Sequence, residues 1–178
     1  MEQNTKKKLF KTFAIILIVL TAAYIVATTM PFLTYEQVAE NGSKETVEVT
    51  LSQYLWETYK HADLTGKVLP SRFTQELGVK YNVTSSVYIP LFAYIGALIC
   101  FGFLLGCYKK SFCIFLPLVW SVGSLIGYFI SPIFKLANTC MFYTHIAIFA
   151  LTLVASVIAF FMLYLPQMKY NYAHRSKY

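Results

Sequence analysis

Phe13 to Phe32 reads FAIILIVLTAAYIVATTMPF, a run with no charge and no glycine. At about 1.5 Å per residue, such a run spans roughly 30 Å as a helix, the thickness of a bilayer's hydrocarbon core. Lys6, Lys7, Lys8 and Lys11 stand ahead of it with only Glu2 opposing them, so residues 1–12 are expected to form a cytoplasmic N-terminus. A secretory signal peptide shares these features, with a cleavage zone at Ala22-Ala23 or Ala27-Thr28. Its apolar region is normally about 7 to 15 residues, and this run continues past that length, which favours an uncleaved first transmembrane helix.

Three more apolar runs follow, at residues 87–107, 112–134 and 142–165. The expected fold class is therefore an all-α membrane protein, a four-transmembrane-helix bundle, with the one long polar segment between its first two helices. The turn at residues 108–111 holds Lys109 and Lys110, and the tail at 166–178 holds Lys169, Arg175 and Lys177 with no acid. Both are expected to be cytoplasmic, and residues 135–141 to form a short outer loop. The chain thus reads as a multi-pass protein of the plasma membrane with both termini inside.

Composition agrees: 57% of the residues are hydrophobic and 13% charged, against about 25% charged in a typical soluble domain. A net charge of +7 raises the question of nucleic acid. The basic residues sit at the ends of apolar runs rather than on one polar face, so topology accounts for them and no nucleic-acid partner is expected.

Residues 33–86 are expected to form a small α/β extracytoplasmic loop domain. They hold Glu36, Glu40, Glu45, Glu48, Glu57, Asp63 and Glu76, all but one of the chain's acidic residues. Phe32 to Tyr35 and Glu45 to Thr50 are strand-like, with the turn sequence Asn41-Gly42-Ser43 between them. Thr50-Leu51-Ser52-Gln53 has capping-box spacing for a helix whose apolar stripe is Leu51, Tyr54, Leu55 and Tyr59. A second short helix is predicted over Ser71 to Leu77, followed by an extended Val79 to Thr84. Trp56 falls off the apolar stripe and is the candidate partner-binding residue, with the membrane surface as its alternative setting. Asn41 and Asn82 begin Asn-x-Ser/Thr triplets on the expected outer side and are candidate glycosylation sites in a host with that machinery.

Inside the runs, small residues recur at four-residue spacing: Gly102 and Gly106, Gly123 and Gly127, Ala155 and Ala159, and Ala93 with Ala97. Such stripes let helix backbones approach closely, within a chain or across a homodimer. Three helices carrying them in one chain favour packing within it, and the oligomeric state stays open. Pro90 and Pro117 are placed in first helical turns, where proline is tolerated.

The four runs hold no Asp, Glu, Lys or Arg, which disfavours ion-coupled transport. His145 lies about one turn into the fourth run. It lacks the spacing to join His61 and Asp63 as a metal ligand and is expected to make a hydrogen bond. Cys100, Cys107, Cys113 and Cys140 include no Cys-x-x-Cys pair, which argues against thiol–disulfide exchange. No catalytic, cofactor-binding or metal residue is assigned. The expected function is a non-enzymatic interaction or accessory protein that presents the loop domain to a membrane or extracytoplasmic partner, with the lipid bilayer around its helices. A channel or transporter subunit, with Ser121, Ser124, Thr144, Thr152 and Ser156 as pore candidates, is the alternative, and a membrane enzyme with an outer-face site the second.

In layout, four spans with a long first outer loop of strand-like segments and a short second one resemble the claudin group. That group carries a Trp, a Gly-Leu-Trp and two cysteines in the first loop, whereas this loop has Tyr54-Leu55-Trp56 and no cysteine, so no residue role is carried over. The resemblance implies a left-handed four-helix bundle capped by a small outer sheet.

Overall fold

The computed structural model of the chain describes residues 3–38, 42–60, 83–107, 114–131 and 137–165. Its elements are α1 (Gln3–Ala27), β1 (Pro31–Val38), β2 (Lys44–Thr50), α2 (Leu51–Lys60), α3 (Val83–Cys107), α4 (Phe115–Ile130) and α5 (Thr139–Ala159), which a π-helical turn over Phe160–Tyr164 extends. Three stretches are long and apolar enough to cross a membrane: Lys8–Ala27, Tyr88–Gly106 and Thr139–Leu163. These make the chain a membrane protein in character. Helix α4 is equally apolar but has 16 residues, about 24 Å of helix.

The four long helices pack in a cycle: α1 lies against α3 and α5, and α4 lies against the same two. At the end where α1 finishes and α5 begins, the antiparallel pair β1–β2 closes over them. A bulge near Phe32 lets adjacent residues of β1 face the same way, so Phe32 and Leu33 are both buried. Leu33 pairs with Val49 on the buried face, while Thr34, Thr46 and Glu48 stand exposed on the other. Gly42 turns the hairpin at φ +79°, a left-handed conformation that glycine adopts without steric cost.

Several boundaries differ from the sequence reading, each for a local reason. Helix α1 stops at Ala27, so Pro31 and Phe32 belong to the sheet and not to the first span. Pro31 disfavours helical geometry at Met30, and the hydroxyls of Thr28 and Thr29 donate back to the carbonyls of Ile25 (2.6 Å) and Val26 (2.7 Å). Helix α4 ends at Ile130 because Ser131, which precedes a proline, takes an extended conformation. Cys140 and Met141 lie inside α5, whose start is fixed by the Asn138 side chain accepting from the Cys140 amide (3.0 Å). Helix α3 begins at Val83, which takes Val83 and Thr84 out of an extended segment and puts Pro90 inside the helix, beyond its first turn. The short helix expected over Ser71 to Leu77 lies outside the described residues.

Candidate functional site

Beneath the sheet, three helices each contribute one polar ring to a shared hydrogen-bonded chain in the interior. Tyr24 of α1, Tyr128 of α4 and His145 of α5 are essentially unexposed, at 0%, 1% and 0%. The Tyr24 and Tyr128 hydroxyls are 3.0 Å apart, and the Tyr128 hydroxyl is 2.8 Å from His145 Nδ1. Burial of this kind is stable only when the polar atoms find each other, since an unpaired buried group costs about 1–3 kcal/mol. With the imidazole proton on Nε2, Tyr24 donates to Tyr128 and Tyr128 to Nδ1; with it on Nδ1 the chain runs in reverse. Nε2 finds no hydrogen-bond partner among the described residues, although the Ala27 carbonyl approaches the ring.

Aromatic rings enclose this chain. Phe32 of β1 stacks on His145 at 4.9 Å with 15° between planes, and Phe149 meets Tyr128 edge-on at 4.9 Å. Trp120 meets Tyr24 edge-on at 5.5 Å and donates its indole N–H to the Ala93 carbonyl of α3 at 2.8 Å. All four long helices and the first strand therefore meet at one node. Phe32 and Phe149 pack directly on the rings that carry its polar atoms, so the node joins sheet and helices.

Helix α2 is held at the same end. Thr50 and Gln53 form a reciprocal capping box: Thr50 Oγ1 accepts from the Gln53 amide and Gln53 Oε1 from the Thr50 amide, each at 3.1 Å. The Ser52 amide donates to the Thr28 carbonyl at 3.1 Å, tying α2 to the end of α1. Leu51, Tyr54 and Leu55 are buried as the stripe predicts, and Trp56 is 57% exposed. The side chain of Tyr59 is outside the described residues, as are Asn41, Asn82, His61 and Asp63.

The small-residue positions divide. A Cβ added to Gly127 would lie 2.5 Å from Ile89 Cγ2, so α4 and α3 approach closely there. Gly96, which the four-residue stripes did not include, does the same against Trp120 Cδ1 at 2.5 Å. Gly102, Gly106 and Gly123 meet nothing within 4 Å, so those three mediate no close approach among the described residues. Ala93, Ala97 and Ala159 are buried, and Ala155 packs with Ala159 into a second cluster around Leu17, Leu104 and Leu163 at the far end.

Of the pore candidates, Ser121, Ser124, Thr152 and Ser156 face inward and Thr144 is exposed. Thr152 and Ser121 donate to the carbonyls of Ile148 (2.7 Å) and Leu118 (2.9 Å) on their own helices. No group of three or more potential metal ligands occurs among the described residues.

The sequence reading placed His145 near a hydrogen bond but missed both tyrosines. The available signal was a lone tyrosine inside each of two otherwise apolar runs, because a buried Tyr hydroxyl needs a partner. Comparison with protein-family models, with curated proteins and with solved structures found no match.

Proposed function

We propose that this chain is a non-enzymatic accessory protein of the plasma membrane that presents a small extracytoplasmic cap to a protein partner. In this reading all four long helices cross the bilayer and both termini are cytoplasmic. Lysines at the far ends of α1 and α3 support that orientation. Helix α4 is short for a crossing, but local thinning of the bilayer accommodates a deficit of a few ångströms at modest cost. Its outward residues Val119, Ile126 and Phe129 suit lipid.

One observation carries the reading: among the described residues the cap has no core separate from that of the helices. Leu33, Val49, Leu51, Tyr54 and Leu55 are buried in the same cluster as Tyr24, Ala93, Ala97 and Trp120 of the helices. A sheet built into the helical core holds its polar face, with Thr34, Thr46 and Glu48, in a fixed position. A preformed surface binds with less ordering cost than a free loop. The inward hydroxyls favour a transporter subunit as second reading, but Thr152 and Ser121 satisfy themselves on their own helices, which suits packing better than a polar path.

Recovery of the full-length protein in mild detergent tests the proposal. A stoichiometric protein should copurify, and Glu48→Arg together with Thr46→Arg should release it without lowering the melting temperature. Retention of the partner by that double variant would refute a role for the sheet face.

A further inference from the structure

Large exposed side chains, three of them aromatic, recur at the sheet end of the helices. Tyr88 sits on the sixth residue of α3 and Tyr143 on the fifth of α5, Phe129 is next to last in α4, and Met30 follows α1. Each is between 43% and 71% exposed. These residues come from three helices and the turn after α1, and what they share is a place near the sheet end. Tyrosine and tryptophan gather where an apolar ring body meets lipid and its polar edge meets water.

Helix α2 lies at this end, because its first turn is tied to the Thr28 carbonyl at the end of α1 and it packs against α3. Its buried face is occupied by Leu51, Tyr54 and Leu55. Trp56, exposed off that face, extends the same ring of aromatic side chains. We infer that α2 lies on the membrane and that the exposed part of Trp56 seats in the outer headgroup region. The occupant of this face is lipid, and the surface left for a protein partner is the sheet face of Thr34, Thr46 and Glu48. The helix thereby fixes the height and tilt of the sheet above the bilayer.

This rests on the four-crossing reading, and the two fail separately: thiol topology can hold while Trp56 proves to lie away from lipid. The chain has two tryptophans, and Trp120 is buried, so Trp56 can be isolated by difference. The full-length protein and Trp56→Phe are reconstituted in phosphatidylcholine vesicles, and the difference in emission is attributed to Trp56. Lipid brominated near the headgroup should quench most of that difference emission, lipid brominated near the chain end should quench it less, and aqueous acrylamide should have little effect. Quenching by acrylamide with none from brominated lipid would place Trp56 in water and overturn the inference. Quenching by none of the three would mean that protein covers it, and stronger quenching by the deep bromines would put it in the hydrocarbon core; either result also overturns it.

Discussion

Tyr128 is the middle of the buried chain, and the consequences of removing one oxygen there and at Tyr24 are different. Tyr128→Phe leaves the Tyr24 hydroxyl and His145 Nδ1 both without the partner seen at 3.0 and 2.8 Å. Tyr24→Phe removes only the terminal hydroxyl and keeps the Tyr128–His145 bond. An orphaned buried group costs about 1–3 kcal/mol in water-soluble proteins, and interhelical hydrogen bonds in a membrane average about 0.6 kcal/mol. Tyr128→Phe should therefore lower the melting temperature in detergent clearly more than Tyr24→Phe. Equal losses would mean that the chain is not organised around Tyr128. The polarity of these residues was visible in the sequence, but their meeting was not: Tyr24 and Tyr128 are separated by 104 positions, and they meet across the bundle interior because α1 and α4 both pack against α3 and α5.

At the scale of elements, glycine separates tight contacts from open faces. The indole of Trp120 cannot yield to a methyl at Gly96 without straining its bond to the Ala93 carbonyl, and Ile89, being β-branched, has little rotamer freedom to yield at Gly127. Gly96→Ala and Gly127→Ala should each destabilise by about 1–3 kcal/mol through overpacking. Gly102→Ala and Gly123→Ala meet open space and should be neutral or gain up to about 1 kcal/mol of helix propensity. Thermal unfolding of the four variants in one detergent checks this, and uniform behaviour across them would contradict the assigned helix faces. The amphipathic α2, its cap and the hairpin were legible in sequence because their signals are local: alternation, a Thr-x-x-Gln spacing, a glycine in a turn. Which face of an apolar helix meets protein was not legible, because lipid and neighbouring helices select equally apolar side chains. The ends of α1 and α4 were misread for a related reason. Hydropathy runs on through Pro31 and past Ser131, while proline and threonine backbone chemistry ends the helices earlier.

For the whole molecule, the arrangement is a set of helices whose core continues into a sheet at one end, so that helices and sheet share one core. The proposed function depends on that end being outside the cell and on all four long helices crossing the bilayer. An impermeant thiol reagent applied to intact cells addresses both, in a background with the four native cysteines replaced, since Cys140 is itself exposed at the sheet end. Ser43→Cys on the hairpin should be labelled, and Ser111→Cys and Ser176→Cys should be labelled only after the cells are permeabilised. Labelling of Ser111→Cys or Ser176→Cys from outside, or protection of Ser43→Cys, would contradict the account.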